Sequence, residues 1–129
     1  MNTKQQKLEA FSRLLDIMDD LREKCPWDRK QTLQTLRHLI LEDLYELSDA
    51  LLEEDLPEIK KELGDVLLHL VFYAKIGSEK GSFDIADVIN ALNEKLIFRH
   101  PHIYGDVEVQ DEEEVKQNWE KLKLKEGNK

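Results

Sequence analysis

Residues 41–74, LEDLYELSDALLEEDLPEIKKELGDVLLHLVFYA, decide how this chain is read. The stretch predicts two long helices joined by a turn near Asp55 and Pro57. Each helix carries two acids three residues apart, Asp43 with Glu46 and Glu62 with Asp65. Residues i and i+3 share a helix face, so each pair projects in one direction. Folded back antiparallel, the helices bring the two pairs together.

The placement of these acids says more than their number. On a wheel of about 100° per residue, Leu36, Ile40, Leu44, Leu47 and Leu51 form one apolar stripe. Asp43 falls about 60° from its centre, inside the arc that Leu39 and Ala50 widen. Glu46 sits just beyond Leu39. Asp49 occupies the far face, where a solvated acid belongs. In the second helix, residues 66–74 are apolar almost all round, broken only by His69. A helix apolar on every side is buried on every side, and Glu62 and Asp65 stand at the entrance to that run. All four acids are therefore expected to be at least half buried and close together.

Four like charges in one place repel. Two unit charges 4 Å apart cost about 1 kcal/mol in water and about 4 kcal/mol at an effective dielectric near 20, and desolvation adds to this. The cluster finds relief by taking up protons or by binding a cation. Oxygen ligands on a rigid frame suit Mg²⁺, with Mn²⁺ as a substitute. Mg²⁺ commonly shares its coordination with substrate phosphates. The expectation is a metal-dependent phosphate site between two helices. The competing reading is a solvated acidic face, the ordinary fate of charge clusters. It loses ground where four acids border an apolar stripe.

Composition narrows the classes. The chain has 129 residues, enough for one domain with its own core, and the reading is a single domain over 1–129. Charged residues are plentiful, while Gly and Pro are scarce, a mix that suits helices. The formal net charge of −9 argues against nucleic acid or an anionic membrane surface as partner. It does not exclude an anionic small ligand screened by a metal. No run approaches the roughly 18 apolar residues of a membrane span, and MNTKQQKLEA has no signal-like core. The one cysteine, Cys25, has no internal disulfide partner. A cytoplasmic location is expected.

Elsewhere the periodicity predicts a first amphipathic helix over 4–24, carrying Leu8, Phe11, Leu14, Leu15, Met18 and Leu21. Pro26 breaks it. Trp27 then caps the core or stacks on a ligand base, with capping preferred. Cys25 reads as a small buried hydrophobe rather than a nucleophile. The second helix is expected over 32–53 with Thr32 as N-cap. The third runs from Asp55, its N-cap in a capping box with Glu58, to about Lys80. Gly64 in mid-helix costs about 1 kcal/mol against Ala, and close approach of a ligand or another helix would explain it. His69 is read as a hydrogen-bonded core residue. A fourth helix follows Asp84, with Lys95 and Arg99 near its C-terminal end, where cations are favoured anyway. His100 and His102 flank a proline and form a weak metal signal. A last helix starts at residues 111–114 and carries Trp119, and residues 126–129 are expected to fray.

These residues together resemble the MazG-type nucleoside triphosphate pyrophosphohydrolases. The resemblance rests on CPWD (25–28) with QT (31–32), LEDLYE (41–46), ELGDVLLHLVFYA (62–74), KLIFRHPHIYGD (95–106) and a W-E-x-x-K at 119–123. The order of five collinear motifs is far more specific than any acid pair. The family's metal motif, E-E-x-x-E followed by E-x-x-D, is met by Glu42, Asp43 and Glu46 and then by Glu62 and Asp65. Asp43 stands where Glu is usual, which keeps the charge and shortens the reach. Leu33 stands where the family often has His.

The resemblance implies an all-α, four-to-five-helix bundle whose core is completed by homodimerisation, or by a dimer of dimers. It implies Mg²⁺ bound by Asp43, Glu46, Glu62 and Asp65, with Glu42 or Glu46 as general base. Lys95 and Arg99 would hold phosphates, and Trp119, Lys123 and Trp27 the base and ribose. The implied reaction takes a nucleoside triphosphate to the monophosphate and pyrophosphate. The alternative is a non-catalytic helical module that binds nucleotide or mediates oligomerisation.

Overall fold

A computed structural model of the protein describes residues 1–127. Among the described residues every regular element is a helix: α1 (Lys4–Lys24), α2 (Pro26–Lys30), α3 (Arg37–Leu52), α4 (Leu56–Glu79), α5 (Ile85–Arg99), α6 (Pro101–Tyr104) and α7 (Glu112–Lys125). The all-α expectation holds, and the five long helices are those the periodicity predicts. The chain divides into two compact units, residues 1–85 and residue 86 onward.

In the first unit, Thr3 and Gln6 close a capping box at the start of α1. The Gln6 N–H donates to Thr3 Oγ1 at 3.1 Å, and the Thr3 N–H donates to Gln6 Oε1 at 2.8 Å. After Pro26 the chain turns into a further short helix rather than a loop, because proline at the first helical positions sacrifices no hydrogen bond. The next helix starts later than expected. The Thr35 N–H donates to Thr32 Oγ1 at 3.2 Å and the Thr32 N–H to Thr35 Oγ1 at 2.7 Å. This local exchange holds residues 32–36 in a turn, since threonine hydroxyls compete with the helical ladder. Thr32 is thus not the N-cap of α3; that position falls to Leu36, which offers no side-chain cap.

The core is built on α4. Met18, Leu36, Val71, Phe72 and Ile76 are buried together, with Phe11, Leu14, Leu15, Leu33, Leu39 and Tyr73 packed against them. Residues 71–77 of α4 bury more than one side, as the all-round apolar run predicts. The earlier turns do not, because Leu63, Leu67, Leu68 and Leu70 are exposed in the single chain. Lys75, at the end of the run, pairs with Asp19 of α1 at 2.9 Å.

Trp27 does not cap this core; it is 55% exposed. The end of the core is closed instead by Arg22, whose guanidinium carbon lies 5.7 Å from the Phe72 ring centroid. Arg22 Nη1 donates to the carbonyls of Asp28, Arg29 and Gln31 at 2.7, 3.2 and 2.8 Å. Its Nε and Nη2 grip the Glu79 carboxylate at 2.8 and 2.9 Å. One side chain therefore satisfies carbonyls at the end of α2 and ties α1 to the end of α4. That grip holds the Glu79 carboxyl below the ordinary glutamate range, the hydrogen bond outweighing the opposing effect of burial.

Two helix ends explain the turns around α4. Gly81, at φ 68°, closes the C-terminus, with the Ser82 N–H donating to the Gly77 carbonyl at 3.1 Å and the Gly81 N–H to the Ser78 carbonyl at 3.0 Å. Glu54 makes the same left-handed turn after α3 at φ 54°, with the Asp55 N–H donating to the Ala50 carbonyl at 3.3 Å. Asp55 then caps α4 by accepting the Glu58 N–H at 3.2 Å. The Glu58 carboxylate turns to Lys61 at 3.5 Å and the Asp55 N–H is taken by the Ala50 carbonyl, so the two do not close the expected capping box.

In the second unit, Asp111 caps α7 by accepting the Glu114 N–H at 3.0 Å. The expected fraying does not extend to Glu126, whose carboxylate binds Arg99 Nη2 at 2.7 Å and Nε at 3.0 Å. Asn128 and Lys129 lie outside the described residues.

A left-handed backbone costs an L residue about 1–2 kcal/mol, partly offset in a glycine by its larger unfolded-state entropy. Glu54→Gly is expected to stabilise the protein by up to about 1 kcal/mol in urea denaturation. For Glu79 the lowered carboxyl pKa means the Arg22 contact stabilises the fold fully above the ordinary glutamate range. The contribution disappears as the pH falls through the lowered value. The gap in urea midpoint between wild type and Glu79→Gln should be open at neutral pH and close on acidification.

Candidate metal centre

α3 and α4 pack against each other across the three-residue turn 53–55. The covered positions of α3 and its N-cap are Leu36, Leu39, Ile40, Asp43, Leu47 and Ala50, a helical-face spacing. This face is rotated about 50° from the apolar stripe, which leaves Leu44 and Leu51 exposed. Asp43 therefore sits in the helix–helix seam itself, not at its edge.

Within the seam, Asp43 and Glu46 from α3 and Asp65 from α4 each present a carboxylate oxygen, all within 4.8 Å of one another. Asp43 and Asp65 are half-buried, whereas Glu46 is exposed. Glu62, the fourth expected member, lies outside this trio of converging oxygens and is the most buried acid, 4% exposed. Its Oε2 has no hydrogen-bond partner. Burial pushes the Glu62 carboxyl above its ordinary range, helped by the neighbouring carboxyls of Glu58, Glu46 and Asp65, while Lys61 opposes. Glu42 is exposed and stands about 100° round the helix from Asp43, so the structure does not bring it into the group.

His69 is buried, as expected, and its hydrogen bond has an unforeseen partner. The Nε2–H donates to Asp43 Oδ2 at 2.6 Å, and Nδ1 is buried with no partner. The sequence signal lay in the spacing: His69 is four residues after Asp65, hence on the face that meets α3. An open groove of about 410 Å³ adjoins the site, lined by Glu46, Asp49, Ala50, Glu53, Asp55, Glu58, Lys61 and Glu62. Gly64 is exposed, and a Cβ there would meet nothing within 4 Å. No neighbouring helix of the described chain explains that glycine.

The second unit gathers three of the expected ligand-binding residues. Arg99, only 7% exposed, places its guanidinium carbon 5.8 Å from the Trp119 ring centroid, and Lys123 Nζ lies 5.3 Å from it. His100 faces the same indole at 6.5 Å between centroids. Lys95 is half-buried one turn before Arg99 on α5. Nothing in the sequence marks Glu126 as a carboxylate partner of Arg99; 27 residues separate the two, and no periodicity links them. No third ligand joins His100 and His102 among the described residues.

The donor set in the seam is all oxygen, and one buried carboxylate oxygen beside it lacks a donor. Both features fit a hard divalent cation.

Comparison with known proteins finds relatives of the chain. Residues 31–104 match the family model of the MazG nucleotide pyrophosphohydrolase domain. The chain is 46% identical over 129 residues to the uncharacterized protein YabN of Bacillus subtilis, covering 97% of this chain and 26% of that protein. It is 53% identical over 98 residues to the nucleoside triphosphate pyrophosphohydrolase/pyrophosphatase MazG of Thermotoga maritima, covering 74% of this chain and 38% of that protein. The chain thus spans about a quarter to two-fifths of the length of these relatives. The crystal structure of a mazG-related protein from Thermotoga maritima superposes with a TM-score of 0.74 at 26% identity, covering 88% of this chain and 98% of that one. A helical hairpin with acids in its seam, the matching family model and these relatives lead to one statement: the chain belongs to the MazG nucleotide pyrophosphohydrolase domain family.

Proposed function

We propose that this chain is a single MazG-like domain that hydrolyses a nucleoside triphosphate to the monophosphate and pyrophosphate. In this reading Mg²⁺, or Mn²⁺ in its place, is held by Asp43, Glu46, Glu62 and Asp65. The observation that carries the reading is the three converging carboxylates beside a buried, unpartnered Glu62 oxygen. The names of the relatives support the reaction class. When bound, the cation neutralises phosphate oxygens and acidifies water.

The remaining steps fall to the protein. A water attacks the α-phosphorus in line, the bond from that phosphorus to the bridging oxygen breaks, and pyrophosphate departs. Glu46 or Glu42 takes the proton of the attacking water; both are exposed carboxylates and suit a general base. Lys95 and Arg99 stabilise the charge that develops on the leaving group. Trp119, Lys123 and the exposed Trp27 serve the base and ribose, where an aromatic face stacks well.

A homodimer or dimer of dimers completes the fold in this reading. Leu63, Leu67 and Leu70 on α4 are exposed, as are Val88, Leu92 and Leu96 on α5, and a second copy of the chain would cover such surfaces. The acidic balance disfavours nucleic acid and membranes as partners. Among the described residues no helix is long and apolar enough to cross a membrane, in keeping with action on a cytoplasmic nucleotide pool.

Purified protein is expected to release pyrophosphate from one or more nucleoside triphosphates only when Mg²⁺ or Mn²⁺ is supplied. Glu62→Gln and Asp65→Asn should each lower kcat by about 100-fold or more, the upper end of what losing even an outer-shell partner costs. Full activity in either variant would remove the proposed site. Thermal unfolding gives an independent check. Without metal, Glu62→Gln should be more stable than wild type, because it deletes a buried carboxylate near like charges. With millimolar Mg²⁺ the wild type should gain stability and the variant should not.

A further inference from the structure

The buried His69–Asp43 contact does more than fill space. Three roles are open to a histidine beside a metal-binding acid: core filler, ligand, or a residue that positions the ligand. A filler is disfavoured by the orphaned Nδ1. An apolar ring or leucine would fill the site without stranding a polar atom, which costs free energy when desolvated. A ligand is disfavoured by the geometry. Nε2 is engaged with Asp43 Oδ2 at 2.6 Å, and neither ring nitrogen belongs to the trio that converges within 4.8 Å.

The third role fits each observation. The His69 side chain is 7% exposed and that of Asp43 24%, so the imidazole meets the carboxylate from the buried side. A carboxylate offers about four lone-pair sites on its two oxygens, so Asp43 can accept from His69 and still face a cation. Aspartate is also a short arm, and its carboxylate must be held in one orientation to meet acids from a second helix. Both Asp65, which converges with Asp43, and His69, which holds it, project from neighbouring turns of α4. A single helix therefore fixes one acid and orients its partner across the seam.

We propose that His69 is a positioning residue for the divalent-cation site, holding the Asp43 carboxylate in register with Glu46 and Asp65. This rests on the reading of those acids as cation ligands. Hydrogen bonds to ligating groups typically change metal affinity by about 10- to 100-fold when removed.

The test is Mn²⁺ titration of the metal-free, purified full chain, with free Mn²⁺ followed by electron paramagnetic resonance. His69→Leu is expected to weaken Mn²⁺ binding by about 10- to 100-fold. His69→Gln, whose amide can donate from nearly the same place as Nε2–H, should recover most of the loss. No loss in His69→Leu, or equal loss in both variants, overturns the proposal. Glu62→Gln and Asp65→Asn run in parallel. If those bind Mn²⁺ as wild type does, the cation site itself fails; if they lose binding while His69→Leu does not, only the role of His69 fails. Should His69→Leu not fold, the wild-type His69 Nε2–H resonance decides the matter. It is expected to shift as Mg²⁺ saturates the protein, and a resonance that stays in place at saturation overturns the proposal.

Discussion

Everything in this structure turns on placing anions in a seam between two helices. Helices pack by burying apolar side chains, yet the face that α3 turns toward α4 includes Asp43, and the face that α4 returns includes Glu62 and Asp65. The repulsion among them is a standing cost of the native state. It is tolerated because the rest of α4 is anchored elsewhere, by Val71, Phe72 and Ile76 in the core and by the Arg22–Glu79 grip at its far end. The helix thus has a stable half that holds it and a strained half that carries the acids.

That division explains the exposure pattern of α4. From residue 71 to 77 the helix is enclosed on more than one side, whereas Leu63, Leu67, Leu68 and Leu70 face outward beside the acids. The strained half is also the half with uncovered apolar surface. A second chain docking there would exclude water from the neighbourhood of the carboxylates, which strengthens every charge interaction among them.

The sequence made the helices and the acidic seam legible because both write a strong period. Asp43, Glu46, Glu62 and Asp65 share faces at i, i+3, and a Pro-marked turn between them forces the antiparallel return. What stayed hidden depends on contacts that no period encodes. The Thr32–Thr35 exchange is a local competition that delays α3. Arg22 looks like a solvated cation in an amphipathic helix until its guanidinium is seen to meet the ends of two other helices, α2 and α4. Trp27 reads as a core cap, but the short helix opened by Pro26 leaves it exposed. Glu126 lies far from Arg99 in sequence. The rotation of the packed face on α3 was partly visible, since Leu39 and Ala50 already widened the stripe toward Asp43.

The turn of three residues between α3 and α4 has a consequence for how the molecule assembles. Closing so small a loop costs little chain entropy, and contacts near in sequence favour fast folding. The carboxylate frame is therefore a local structure, spelled out within one hairpin. Its like charges sit on contacts close in sequence, so an ion able to neutralise them would act within one local hairpin rather than across distant parts of the chain.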